Sequence, residues 1–171
     1  AASDVYKRQL IYAWFIATVM PEQSARSFAY AGEWGAPDRH FFYTPDELYA
    51  AVSQWGDAGR RDYISFRLGA DIVWAVAYTG FLAIWISWAL RHAAPAGAAL
   101  SRVNTFPLLT MAADYLENTL GIILVSAYPE RLDLLAWLAA VTTSVKWVTL
   151  GISHLILLTA IVLAVRYRLQ R

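Results

Sequence analysis

Cysteine is absent from this chain of 171 residues. Its absence excludes disulfides, thiol nucleophiles and cysteine-ligated metal sites, and with them the quinone-linked thiol oxidoreductases that are also built as four-helix bundles. Charged residues make up only 16% of the chain, and a net charge of +1 provides no basic field for nucleic acid. Thiol chemistry and nucleic-acid binding are therefore not expected.

Apolar residues are abundant instead, at 58% of the chain. Soluble domains contain roughly 45–50%, and the length fits one domain, so the composition predicts a polytopic membrane protein. The lysines and arginines lie mostly at the ends of apolar runs, where they set the orientation of spans. The expected partner of the chain is a lipid bilayer.

The first nine residues, AASDVYKRQ, match a translated transposase adapter used in sequencing libraries, and we interpret segment 1–9 as an artefact. The remaining residues, 10–171, are expected to form a single membrane domain. Their first apolar run, LIYAWFIATVM at 10–20, is shorter than the roughly 17–25 residues that a span requires. We therefore expect the first span to be truncated at its beginning.

A polar segment, 21–62, follows and is expected to lie outside the membrane. Within it the run TPDE, which begins at Thr44, has the pattern of a capping box: Thr44 caps the helix start and Glu47 reaches back to the cap. Gly56 offers a stop for the same helix. The segment should thus contain one short helix that covers the loop or the bundle.

Three further apolar segments are long enough to cross a bilayer, and we place these spans at 64–91, 106–128 and 134–165. Only PERLD separates the last two, which predicts an antiparallel hairpin. The predicted fold class is all-α: a polytopic membrane protein with a four-transmembrane-helix bundle and a short extramembrane helix between spans one and two.

The orientation follows from arginines near the span ends. Five of them share one side of a four-span bundle: Arg91, Arg102, Arg166, Arg168 and Arg171. That side should be cytoplasmic, because positive charge accumulates on the inner face of a membrane. We therefore expect a bacterial inner-membrane protein with a cytoplasmic C-terminus and an extracytoplasmic 21–62 segment.

Span three contains polar residues that are costly in lipid. Asp114, Glu117, Asn118 and Gly121 follow one another at i, i+3, i+4 and i+7, which places them on one helix face. Each carboxylate at the membrane centre would cost roughly 2.5–3.5 kcal/mol. This face should point into the bundle, where the carboxyl groups can find partners or take up protons.

Span four supplies a partner in Lys146, which belongs to a polar stripe with Thr142, Thr149 and Ser153. Counted from the tight turn, Glu117 and Lys146 reach a similar depth of about 16–18 Å. We predict an ion pair between them.

Asp114 is then left without an assigned counter-charge. Asn118, Tyr78 or Thr149 could donate a hydrogen bond to it; alternatively, it takes up a proton. In span two, Arg67 and Asp71 form a second predicted ion pair at i, i+4.

Together these residues define a candidate ligand pocket: Asp71, Tyr78, Asp114, Glu117, Asn118, Lys146, Thr149, Ser153 and His154. Ion pairs between spans can also serve only to fix the register of a bundle, and the two readings are evenly balanced. We expect no haem, because His40, His92 and His154 should lie at different levels. Nor do we expect a metal, since it would compete with Lys146 for Glu117.

Three stretches carry a resemblance to a known group of proteins. WGDAGRRDY enters span two, FPLLTMAADYLENTLGIILVSAYP forms span three, and SVKW lies in span four. The DYLEN element and the downstream Lys-Trp are fairly specific together, and each is weak alone. Over about Thr44 to Leu158 the chain resembles an uncharacterised family of small bacterial four-span membrane proteins. The resemblance implies a four-helix membrane bundle and no particular activity.

For function, we expect binding or sensing of a small amphiphile or lipid in the polar pocket, or service as a small membrane subunit, without a cofactor. The alternative is an intramembrane enzyme in which the candidate catalytic carboxyl groups, Asp114 and Glu117, exchange a proton with an apolar substrate, and Lys146 stabilises developing negative charge. A second alternative is a proton-coupled transporter. That function would need oligomers, because one four-span chain leaves little room for alternating access.

Overall fold

The computed structural model describes residues 10–93 and 100–169. Within these ranges the chain is helical and contains no β-strand. The suspected adapter segment 1–9, residues 94–99 and residues 170–171 lie outside the described residues, and with the last of these the orientation residue Arg171. The expectation of an all-α protein is confirmed.

The first helical stretch is longer than predicted. Residues 10–14 are α-helical, a π-helical turn spans Phe15–Val19, and helix α1 continues over Met20–Ala31. Pro21 therefore does not begin a loop. Because it lies in the first turn of α1, directly after the π-helical turn, its missing N–H interrupts no regular α-helical ladder.

Helix α2 (Pro45–Gln54) has the predicted capping box, since the Thr44 side chain accepts from the Glu47 backbone N–H and the Glu47 carboxylate accepts from the Thr44 backbone N–H. Gly56 adopts a positive φ of 62° and separates α2 from helix α3 (Gly56–Leu68). The short helix predicted to begin at Thr44 is confirmed.

The rest of the chain forms three long helical segments. Helix α4 (Ala70–Ala93) follows α3 after an interruption at Gly69, a break that lies within the predicted span 64–91 and was not predicted. Helix α5 covers Pro107–Ala127 and helix α6 covers Asp133–Leu169. The short turn between α5 and α6 produces the predicted hairpin, and α6 packs along both α4 and α5.

Three helical segments are long and apolar enough to cross a membrane: Gly56–Ala93, Arg102–Ala127 and Asp133–Leu169. Their outward faces carry large apolar side chains, for example Val76 on α4, Leu116 on α5 and Leu155 on α6. Such faces suit lipid. The N-terminal run 10–20 is not among the three, so the predicted count of four spans is not confirmed.

Two apolar cores hold the bundle together, and a polar layer separates them. The first of them, the outer core, joins the short helix α2 to α3, the start of α6 and the end of α5, with Leu48, Val52, Tyr63 and Leu124 at its centre. The inner core joins α4 to the second half of α6 through residues such as Leu82 and Ile86 on α4 and Leu157 on α6. The buried charged residues of α4, α5 and α6 lie between these two cores: Asp71, Asp114, Glu117 and Lys146.

Candidate functional site

Arg67 organises one half of the polar layer. Its side chain is 3% exposed and has polar contacts with three side chains: the carboxylates of Asp71 and Asp38, each at 2.6 Å, and the Asn118 side-chain oxygen at 3.0 Å. The predicted i, i+4 pair with Asp71 is therefore present, and Arg67 also joins α5 and the 3₁₀ turn Pro37–Arg39 to α3. A guanidinium suits this position, because its several donors can serve partners on different elements at once.

Lys146 organises the other half. Its ammonium forms an ion pair with Glu117, as the matched depths predicted, and lies 3.7 Å from the nearer Asp114 oxygen. The Thr143 hydroxyl, one turn earlier on α6, donates to Glu117 at 2.5 Å. Glu117 is thereby held between two residues of α6.

Asp114 has different partners from those of Glu117. The Tyr78 hydroxyl donates to one of its carboxylate oxygens at 3.0 Å, which is one of the donors that the sequence allowed. The other oxygen is the one that faces Lys146 at 3.7 Å, beyond hydrogen-bond distance. Asp114 was assigned no counter-charge from the sequence, and in the structure it lies near Lys146 in a contact that is looser than that of Glu117.

Two other expected donors to Asp114 have different roles. The Asn118 side-chain oxygen accepts from Arg67, and its amide nitrogen has no hydrogen-bond partner among the described residues. The Thr149 hydroxyl bonds to backbone carbonyls of its own helix, at Val145 and Lys146. This pattern is common for threonine in membrane helices, because it satisfies the hydroxyl without a partner helix.

The charges of this layer do not balance. Its ion pairs join four carboxyl groups, on Asp38, Asp71, Asp114 and Glu117, to two cations, Arg67 and Lys146. With every group ionised, four negative and two positive charges leave a net charge of −2. An excess of charge away from water is costly, so the layer favours the uptake of a proton or of another cation.

Asp38 brings the segment predicted to lie outside the membrane into contact with this layer. Burial opposes ionisation of its carboxyl group, but the nearby Arg67 guanidinium and Lys146 ammonium outweigh that cost and lower the pKa of Asp38. The backbone carbonyl of the same residue accepts from the Trp147 indole at 3.0 Å, and the Phe41 carbonyl accepts from the Ser144 hydroxyl at 2.7 Å. The chain after Pro37 therefore lies directly against α6.

A cleft of about 240 Å³ opens beside the polar layer. Its charged lining consists of Asp38, Asp71, Asp114 and Lys146. The rest of the lining is mostly aromatic or apolar: Tyr12, Trp74, Tyr78, Trp147, Met20 and Leu150. A concave, largely apolar surface with a few convergent polar groups is the usual form of a small-molecule site, although this cleft lies just below the usual range of roughly 300–1,000 Å³.

The cleft reaches the surface of the helices at its α6 side. Trp147 is 40% exposed and His154, also in the lining, is exposed. The His154 ring nitrogen lies 2.9 Å from the Leu150 carbonyl of its own helix, so the ring packs against α6. This part of α6 is flanked by exposed apolar residues such as Ile152 and Leu155, so the cleft opens onto an apolar surface of the helices.

The structure divides the predicted pocket residues into two groups. Asp71, Tyr78, Asp114, Lys146 and His154 line the cleft. The other four do not line it: Glu117, Asn118, Thr149 and Ser153. Glu117 and Asn118 support Lys146 and Arg67 from α5, whereas the hydroxyl groups of the other two bond within α6.

Sequence reasoning missed three important contributors. Asp38 lies in a segment rich in glycine and proline, which has no periodicity to indicate burial. Thr143 precedes Lys146 by three residues, so helical spacing would have found it. Tyr12 lies in the short first apolar run, and its ring stacks on those of Trp74 and Phe81, which places this run against α4.

Comparisons of the chain with protein-family models, with curated proteins and with solved structures found no match in any of the three.

Proposed function

We propose that this chain is a four-span protein of a bacterial inner membrane, with segment 21–62 outside and the C-terminus in the cytoplasm. The three long apolar segments and their lipid-suited faces support a membrane location. The contacts of Tyr12 with Trp74 and Phe81 support the first apolar run as part of a further span. The orientation rests on the arginines at the span ends.

We further propose that the protein binds the polar end of a small amphiphile in the cleft between the first helical stretch, α4 and α6. The observation that carries this proposal is the combination of buried charges and aromatic walls in one cavity that opens toward lipid. The exposed apolar residues around Trp147 would let an amphiphile in the bilayer reach the cleft from the side of the helices.

The shape of the cleft limits what it can hold. A volume of about 240 Å³ accommodates a headgroup and a few carbon atoms but not a whole lipid. The polar end would lie near Asp114 and Lys146, and the apolar part would pass Leu150 toward the lipid side. Burial of that apolar part contributes roughly 25 cal/mol for each Å² removed from water.

The binding test uses two tryptophan substitutions on the same helix. Leu150→Trp fills the cleft, whereas Leu155→Trp adds the same side chain at a position that is 63% exposed. Binding of radiolabelled dodecyl amphiphiles would be measured by equilibrium dialysis with the protein in lipid nanodiscs, after subtraction of uptake by empty nanodiscs. We expect Leu150→Trp to weaken binding at least tenfold and Leu155→Trp to leave it unchanged; equal binding by both variants would overturn the proposal.

A second candidate function, catalysis, is favoured by one contact. The Tyr78 hydroxyl donates to Asp114 at 3.0 Å beside the Lys146 ammonium, an arrangement able to exchange a proton with a bound apolar molecule and to stabilise the resulting negative charge. Catalysis predicts that a compound copurifying with the protein is converted by the wild type and recovered unchanged from Asp114→Asn. Recovery of the same unchanged compound from both proteins would exclude this second candidate.

A further inference from the structure

We propose that the headgroup bound in the cleft is an organic cation, namely a protonated amine, and that Asp114 is its counter-charge. This inference rests on the proposed binding function and adds the chemical class of the ligand. It is carried by the balance of charges in the lining, the hydrogen bonds of Asp114 and the aromatic walls.

The lining itself is negative. Three carboxyl groups face the cleft, on Asp38, Asp71 and Asp114, against the single ammonium of Lys146. Arg67 neutralises part of this charge from behind, through Asp38 and Asp71, but it is not in the lining. A headgroup carrying a phosphate or a carboxylate would meet three groups of its own sign, so the lining selects against anions.

Asp114 is the group best placed to receive a cation. Arg67 engages both Asp38 and Asp71 at 2.6 Å, and Lys146 pairs most closely with Glu117. Asp114 is 3% exposed, and the oxygen that does not accept from Tyr78 has no donor within hydrogen-bond distance among the described residues. A buried carboxylate oxygen that lacks a donor and borders a cavity is a ready acceptor for an ammonium N–H.

The aromatic walls favour an organic cation over a metal ion. The ring of Trp74 stacks on Tyr12 at 5.3 Å and meets Tyr78 edge-on at 5.7 Å, and Trp147 lines the cleft from α6. Rings attract ammonium groups through their quadrupoles and also pack against the carbon atoms that such groups carry. Calcium and magnesium instead require about six oxygen ligands, which an aromatic wall cannot provide.

The test compares three dodecyl amphiphiles that differ only in headgroup: dodecylamine, dodecanol and dodecanoate. Each is measured by the dialysis assay at neutral pH, with the protein in nanodiscs of zwitterionic lipid. We expect wild type to bind dodecylamine at least tenfold more tightly than the other two. Asp114→Asn, which keeps the size of the side chain, should remove this preference, whereas Asp133→Asn, at an exposed carboxylate outside the cleft, should retain it.

The outcomes separate this inference from the proposed function. Equal binding of all three amphiphiles, abolished by Leu150→Trp, would overturn the proposal of a cationic headgroup and would still support the amphiphile site. Binding that is unaffected by Leu150→Trp would overturn the site itself. If Asp114→Asn does not fold, Tyr78→Phe provides the second variant: it removes the hydroxyl that orients Asp114, and an unchanged preference for dodecylamine in that variant would count against Asp114 as the counter-charge.

Discussion

Arg67 on α3 and Asp38 in the turn Pro37–Arg39 are joined by an ion pair of 2.6 Å. This contact ties a segment predicted to lie outside the membrane to the polar layer between the two apolar cores. It also makes Asp38 a wall of the cleft, so that the charge of the site depends on a residue outside the long helices.

Replacement of Asp38 by asparagine should destabilise the protein, because Arg67 is buried and loses one of its two carboxylate partners. We expect a loss of roughly 1–3 kcal/mol in the free energy of unfolding, measured by denaturation in mixed micelles. Asp46→Asn serves as the control, since that carboxylate is 86% exposed and its replacement should change stability little. An equal effect of both substitutions would contradict the prediction.

The effect of Asp38→Asn should also depend on pH in a defined direction. The pKa of Asp38 is lower in the folded protein than in the unfolded chain, because Arg67 and Lys146 outweigh the cost of burial. Its stabilisation is therefore complete above the ordinary range of carboxyl pKa values and is lost as the pH falls through the lowered pKa. The difference in unfolding free energy between wild type and Asp38→Asn should shrink as the pH falls through that interval. A difference that grows as the pH falls would contradict the prediction.

The pair of Glu117 and Lys146 should be costly to break from either side. Glu117→Leu and Lys146→Leu each leave one charge of the pair buried with weaker partners, which typically costs about 3–5 kcal/mol. Exchange of the two residues, Glu117→Lys with Lys146→Glu, should recover part of the loss. The measurement is the yield and unfolding free energy of the folded protein, and single leucine variants as stable as wild type would show that the pair does not stabilise the bundle.

Two glycines allow a matched test of packing. A methyl group at Gly121 would collide with the hydroxyl of Tyr63, which is 3% exposed and held between the ring of Trp55 and the guanidinium of Arg67. We expect Gly121→Ala to lower the free energy of unfolding by roughly 1–3 kcal/mol. Gly80→Ala should cause no loss, because nothing lies within 4 Å of the added methyl group.

The same packing model predicts a rescue. Since the hydroxyl of Tyr63 is the closest atom to the added methyl group, Tyr63→Phe should restore part of the stability lost in Gly121→Ala. The measurement is the thermal unfolding of the double variant, compared with that of Gly121→Ala alone. If Gly80→Ala is as damaging as Gly121→Ala, the loss comes from the helix backbone rather than from this contact.

The proposed orientation can be tested with single cysteines, since the sequence contains none of its own. Glu33→Cys and Glu130→Cys should react with an impermeant maleimide added to intact spheroplasts, whereas Thr105→Cys should react only after the membrane is opened. All three positions are exposed, so accessibility in the folded protein does not limit the reaction. The reverse pattern would invert the orientation, and labelling of Glu33→Cys and Glu130→Cys from opposite sides would contradict the antiparallel course of α4 and α5.

Local patterns predicted much of the fold. The capping box at Thr44 and the short turn after Tyr128 are formed by neighbouring residues, so their physics is contained in a few positions of the sequence. The pairing of Glu117 with Lys146 required more, but two antiparallel helices joined by a tight turn have few registers. The depth of each residue along its helix was therefore enough to predict this pair.

The remaining features depend on contacts between distant segments. Asp38 is held by Arg67 and Trp147, neither of which is adjacent to it in sequence, and its own surroundings contain no repeating pattern. The polar segment was predicted to begin at Pro21, yet the helix continues through this residue after a π-helical turn. Arg67 was assigned one partner and has three, because i, i+4 spacing accounts only for residues of the same helix.

The position of Lys146 has a practical value for spectroscopy. The sequence contains two lysines, Lys7 and Lys146, and the second lies in the wall of the cleft between Glu117 and Asp114. Selective labelling with ¹⁵N-lysine would therefore give a nuclear magnetic resonance spectrum of very few signals, one of them from the interior of the site. Occupancy of the cleft could then be followed through the side-chain nitrogen of one residue, Lys146.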